Sequence, residues 1–287
     1  MTTTSRTSPM PCLLTVLFTL VTSQVALADR CDASDDDETP FGAAVVIIEL
    51  TDNDIELQVF ADAFDWNRLQ VFDPGERLIF DTRARGKLRR QGGLSELAFA
   101  SEPSHYLVEE DNFDEPVEDF LARWPEGCYE FEGRRLGGFG PLDGEAYLSH
   151  DLAELPEVQL PGSLGTTTVI VDGEEEEFDL LPYDMPLEIR WNEITTQYMS
   201  DDPVDVFEYQ VIVAQETPER AEPWIDGGTR RALINVPASI CEIGNCGLEV
   251  PPEVLEPGAT YEIEILAIET SGNASIGVLP FATTNAE

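Results

Sequence analysis

Residues 255–275 read LEPGATYEIEILAIETSGNAS, and this stretch decides the fold. Tyr261, Ile263, Ile265 and Ala267 fall at every second position, with Glu262 and Glu264 between them. A period of two sends successive side chains to opposite faces, the mark of a strand half-buried in a sheet. The same alternation runs through Phe207, Tyr209, Val211 and Val213, and through Leu187, Ile189 and Trp191. Upstream, Ala43–Leu50 (AAVVIIEL) and residues 57–61, 68–72 and 78–82 are short apolar or alternating runs, parted by turn clusters such as TDND and DPGE. Residues 127–132 and 145–149 repeat the pattern. Short strands at this spacing predict an all-β protein, an antiparallel sandwich or barrel. Only residues 117–124 (VEDFLARW) carry helical spacing, with Pro125 to stop it.

The ends of the chain set its organisation. Arg6, the apolar run of residues 13–21 and the Ala-Leu-Ala of residues 26–28 read as an export signal spanning 1–28, with cleavage expected after Ala28. Residues 29–40 form an acidic, apolar-poor leader. Two antiparallel β-sandwich domains in series are then expected, over 41–152 and 153–287. Between residues 151 and 184 the chain is rich in Pro, Gly and Glu, including the run Glu174 to Glu177, and reads as a connector or a ragged first strand. No other run is long enough for a membrane span, so none is expected after signal cleavage. The protein is expected in the periplasm or outside the cell.

Export changes how the cysteines read. With Cys12 in the signal, Cys31, Cys128, Cys241 and Cys246 remain, an even number that points to disulfides with three pairings open. Local closure of the CEIGNC loop is the cheapest choice and leaves Cys31 for Cys128. The rival, a zinc site, has too few soft ligands.

The segment 255–275 resembles the late part of a fibronectin type III domain. Leu255, Pro257, Gly258 and Tyr261 match that family's corner, and Trp191 and Tyr209 fit its earlier strands. The resemblance covers roughly residues 155–284 and implies that the Tyr261 hydroxyl bonds back to upstream backbone. Two departures stand out: a long connector, and the Cys241–Cys246 loop before the corner strand. Residues 65–86 and 124–152 resemble the N-terminal part of uncharacterised secreted bacterial proteins that end in such a domain, which implies a shared plan and no activity.

Charge excludes a partner class. The chain has 57 acidic residues against 16 basic ones, a formal charge of −41, and Lys87 is its lone lysine. Nucleic acid is excluded, since a binder must neutralise phosphates with cations. No nucleophile elbow, HExxH helix or phosphate loop is present. His105 and His150 read as surface or strand-end histidines. Carboxylate pairs lose diagnostic value among so many acids.

Three site readings remain. Calcium takes six to eight hard oxygens, often from alternating carboxylates, and Asp52, Asp54, Asp62 and Asp65 lie around a tight acidic turn; the alternative is a solvated turn. Arg83, Arg85, Lys87 and Arg89 alternate, so on a strand they would share one face and grip an anionic polysaccharide; the alternative is pairing with the protein's own carboxylates. Trp66 and Trp224 stand in loop-like settings suited to stacking on sugars, or to capping a sandwich.

The reading is an exported, non-catalytic binding or structural module, for adhesion or spacing, with a protein or polysaccharide partner at the cell surface. The alternatives are a calcium-dependent glycan binder using the first domain and, in another class, a secreted hydrolase or its accessory subunit.

Overall fold

The computed structural model describes residues 31, 39–105, 116–138, 140–171, 174–215, 229–241 and 244–286. The segment read as an export signal and nearly all of the acidic leader lie outside the described residues. The first half of the chain supplies strands β1 (Thr39–Pro40), β2 (Ala43–Leu50), β3 (Asp54–Phe72), β4 (Leu78–Arg83), β5 (Leu94–Ala100), β6 (Ser104–His105), β7 (Gly127–Arg135) and β8 (Pro141–Leu148). Among its described residues it also holds two short helices, α1 (Gly86–Gln91) and α2 (Val117–Arg123). The second half supplies β9 (Thr166–Val171), β10 (Glu174–Leu181), β11 (Leu187–Asn192), β12 (Val206–Gln215), β13 (Thr229–Pro237), β14 (Asn245–Val250), β15 (Thr260–Glu269) and β16 (Ala274–Thr283). The fold is all-β.

Two apolar cores have fully buried members that part between Leu152 and Ala153, with Leu155 and Tyr198 packing back onto the first. The first draws on residues from Phe41 to Leu152, among them Trp66, Tyr129 and Phe131. The second runs from Ala153 to Phe281 and centres on Trp191, Tyr209 and Tyr261. Each holds the side chains that period-two alternation turns inward, and burying them is the main drive to fold.

The long strand β3 corrects the sequence reading. Residues 57–61 and 68–72 read as separate strands, yet they belong to one strand of 19 residues. Its first half pairs with β2 and β5 and its second with β4 and β7. Between Asp62 and Trp66 the register shifts, and Asp65 takes a φ of 62°. This bulge turns β3 from one group of partners to the other without breaking it. The polar ADAFDWN stretch is therefore a bend within a strand. Trp66, read from its neighbours as loop-like, is fully buried in the first core.

A third apolar cluster joins the halves. Val45 and Ile47 on β2 and Phe60 on β3 meet Ile212, Leu266, Ile268, Ala274 and Ile276 from the second half. Beside it β2 and β16 pair in parallel, Glu49 with Ala274 and Leu50 with Ser275. One network of 14 strands thus runs through both halves, with order β1-β8-β7-β3-β2-β16-β15-β12-β13, while β11 and β14 form a separate pair. The run AAVVIIEL explains why β2 suits this place. Val46, Ile48 and Leu50 enter the first core while Val45 and Ile47 enter the shared cluster, so both faces are buried.

Among the described residues two disulfides are formed, Cys31–Cys128 and Cys241–Cys246. The first ties the leader to β7; the second closes the loop before β14. The proline-rich stretch read as a connector contains an ordered β9–β10 hairpin, and β10 joins β16 in parallel.

Candidate functional site

The four aspartates read as a calcium site do not converge. Asp52 is exposed in the β2–β3 turn, whereas Asp54 is buried and accepts a hydrogen bond from Thr51 Oγ1 at 2.9 Å. Asp62 lies eight residues along β3, opposite Ala43 and Glu96. At about 3.3 Å per residue that is some 25 Å away. Asp65 lies beyond it at the bulge, 3.7 Å from an Arg135 nitrogen. Among the described residues, no group of three His, Cys, Asp or Glu side chains is placed to hold a metal ion. Closeness in sequence failed here because a strand carries its residues apart.

The basic strip is also taken apart by local structure. Arg83 ends β4, Arg85 precedes α1, and Lys87 and Arg89 sit on that helix. All four are exposed. Residues two apart on a helix do not face the same way, so the strip does not form one cationic face. Gly86, with a φ of 56°, turns the chain out of the strand. Arg83 lies 3.9 Å from Asp81, which forms a two-point contact with Arg68.

The other candidates fall into place individually. Trp66 is core, and Trp224 lies outside the described residues. His105 is on β6, paired with Asp54 in the backbone ladder. His150 Nε2 lies 2.8 Å from the Trp124 carbonyl oxygen. In the second core Trp191 packs edge-on against Tyr209 at 5.5 Å between ring centres. The Tyr209 hydroxyl accepts from the Ile194 amide, and that of Tyr261 accepts from the Glu256 amide. Leu255 is buried nearby, and Gly258 takes a φ of 68° after Pro257.

What the fold does bring together is a buried polar seam between the halves. Glu49 on β2 and Glu56 on β3 are cross-strand partners, both almost wholly buried, and Gln58 Nε2 donates to each. Glu264 of β15 approaches from the other half. Burial first, then the Glu56, Glu264 and Asp54 carboxylates, hold Glu49 well above the usual carboxylate range. Burial likewise pushes Glu56 up to about 7, against the pull of its Gln58 hydrogen bond. Among the described residues the Gln58 side-chain oxygen has no hydrogen-bond partner.

A second polar knot lies in the β15–β16 turn. Glu269 accepts from the Ser271 amide and hydroxyl and from the Asn273 amide, yet burial lifts it to about 7. Asn273 then spans the halves. Its Oδ1 accepts from the Ile48 amide at 2.8 Å, and its Nδ2 donates to the Ser149 and Asp151 carbonyls. Sequence reasoning passed over Asn273 because its partners stand more than 120 residues away.

At the surface, the β9–β10 hairpin and the β15–β16 ends enclose a groove of about 480 Å³, lined by threonines including Thr167, Thr168, Thr260 and Thr284. Among the described residues no charged side chain lines it.

No protein-family profile and no curated relative matches the chain. Among solved structures it is similar to a tetra-tandem repeat from the extending region of a large adhesion protein, at 10% identity and a TM-score of 0.28, covering 84% of this chain and 49% of that one. A Ca2+-stabilized adhesin of an Antarctic bacterium gives 9% identity and a TM-score of 0.28, covering 87% and 50%. Salmonella alpha-2-macroglobulin gives 9% and 0.30, covering 90% and 16%. The chain thus spans about half the length of the two adhesin structures and a small part of the macroglobulin. Nothing of those proteins' roles transfers at such scores.

Proposed function

We propose that the protein is an exported, non-catalytic structural and binding module whose second half is fibronectin type III-like. The observation that carries this reading is the junction: a shared apolar cluster, a β2–β16 ladder and the Asn273 hydrogen bonds make two β-rich halves into one body. A body built this way transmits force and holds its two ends at a set spacing, as a spacer or adhesion module must. The two disulfides support an oxidising compartment. Among the described residues no helix is long and apolar enough to cross a membrane. The Tyr261–Glu256 hydrogen bond and the Trp191–Tyr209 pair support the fibronectin type III-like reading.

Two measurements test the proposal. Single-molecule stretching of the mature chain should show both halves yielding in one event, because the junction couples them. Separate, independent unfolding steps would remove the rigid-spacer reading. A panel of glycoside, ester and peptide substrates should give no turnover; turnover abolished by changing one carboxylate would establish the hydrolase alternative instead.

A further inference from the structure

Strand β9 consists of six β-branched residues in succession, Thr166 to Val171, TTTVIV. Such side chains favour extended backbone and a pleated surface. Among the described residues β9 has one strand partner, β10, so its other side is a sheet edge. Proteins commonly blunt such an edge with charge, proline or a bulge. The β9 sequence contains no charge and no proline, and its pairing with β10 is regular from Thr166 to Val171. Ile170 is 63% exposed.

The hydrogen-bond phase shows which groups face outward. The Leu180 amide donates to the Gly165 carbonyl at 2.8 Å, which marks that pair as a bonded one. Antiparallel ladders alternate bonded and non-bonded pairs. The backbone amides and carbonyls of Thr166, Thr168 and Ile170 therefore point to the free edge.

Charge one strand inward selects what pairs there. Thr168, Val169 and Ile170 lie opposite Glu177, Glu176 and Glu175, and all three glutamates are exposed. Alternation puts Glu175 and Glu177 on one face of the hairpin and Glu176 on the other. A strand added to β9 would lie about 9.6 Å from β10, two strand spacings away. Lysine or arginine side chains on that strand reach over the short Thr and Val side chains to those carboxylates; acidic ones are repelled. A second copy of this chain brings its own acidic β10 and a formal charge of −41.

We propose that the free edge of β9 is a strand-addition site for an extended, basic segment of a partner protein. Backbone hydrogen bonds supply affinity and the β10 glutamates supply selection. The inference deepens the binding-module reading, and it fails separately: stretching and turnover measurements do not touch this edge.

The test titrates the mature chain with a labelled peptide of alternating Val and Lys, in about 0.15 M salt to screen distant charge. Three controls accompany it: the same peptide N-methylated at alternate residues, a Val–Glu peptide, and a T168P chain. Proline at 168 removes an outward amide and leaves the β10 ladder intact. Saturable binding of the Val–Lys peptide is expected, with at least about a tenfold loss, or roughly 1.4 kcal/mol, for the N-methylated peptide and the T168P chain. Substituting Glu175 and Glu177 by Gln should weaken the same peptide. The T168P melting temperature should match that of the parent; should it drop, the N-methylated peptide on the parent chain decides alone. Equal binding of the N-methylated peptide would reduce the effect to net charge and overturn the proposal. So would absence of saturable binding, preference for the Val–Glu peptide, or self-association through β9.

Discussion

Glu49 and Glu56 stand directly opposite each other in the β2–β3 ladder, and the side-chain amide of Gln58 donates to both, at 2.5 and 2.8 Å. Burial makes the ionised forms costly, and neighbouring carboxylates add to it, Glu56 and Glu264 beside Glu49 and Asp54 beside both. Both carboxyls consequently hold their protons to higher pH than an exposed glutamate.

That pair makes stability depend on pH in a stated direction. A carboxyl whose folded value is raised keeps its proton where the unfolded chain has released it. Its stabilisation is complete below the unfolded value near 4.5 and is lost as pH rises through about 7. Glu269 acts in the same window. E56Q keeps an oxygen for Gln58 and cannot ionise. It should gain up to about 3 kcal/mol over the parent at pH 8 and little at pH 4. Unfolding curves for parent and variant that stay parallel from pH 4 to 8 would refute the assignment.

Asn273 should be the most sensitive polar residue at the junction. N273A leaves the buried Ile48 amide without its side-chain acceptor and removes the donor to Ser149 and Asp151. Each buried group left unpaired costs about 1–3 kcal/mol, so a total loss of about 3 kcal/mol is expected by urea unfolding. N273D retains the acceptor but sets a second carboxylate beside Glu269, and should be worse at pH 8 than at pH 5. Equal loss at both pH values would contradict the geometry.

Gly277 sits where residues after the first half cross β16. A Cβ there would collide with the Pro156 carbonyl. G277A should therefore cost about 1–3 kcal/mol through forced backbone movement. At Gly162 an added Cβ meets only Leu181 at 3.6 Å, an ordinary contact. G162A is the control, expected within about 0.5 kcal/mol of the parent. Denaturant midpoints compare the two, and similar values would dispute the close approach.

Cutting the chain after Leu152 should expose the junction. Val45, Ile47 and Phe60 lose their cover, and burying each such side chain contributes about 1.5–3 kcal/mol. Residues 29–152 alone should bind an apolar dye and melt well below the full protein. A fragment as stable as the full chain, with no dye binding, would mean the shared cluster adds nothing.

Much of this architecture was legible before any tertiary contact was known. The alternation of Tyr261, Ile263, Ile265 and Ala267 depends only on strand geometry, and these residues line the second core. The same geometry accounts for Trp191 and Tyr209. Residues 117–124 announced α2 by their spacing and by Pro125. The sites were less legible. Asp52 and Asp62 are near in sequence and far apart in space, because an extended chain separates what a compact loop would gather. The cations from Arg83 to Arg89 alternate only if the strand continues, and it ends at Arg83 where α1 follows.

By itself, then, the sequence determined the all-β class, several of the strands that feed each core and the acidic composition, since these follow from local periodicity and residue content. Tertiary structure decided the other face of those strands. In YEIEILAIE Glu262 and Glu264 alternate with the core residues and read as solvent-facing, yet Glu264 is only 7% exposed; Glu269, in phase with the core face, is 1% exposed. Glu49 and Glu56 are buried in the same way. A strand's period states that two faces differ; it does not state what covers the second. Here the covering face comes from the other half of the chain, so the junction, its raised carboxyls and the Asn273 bonds exist only once both halves have folded together.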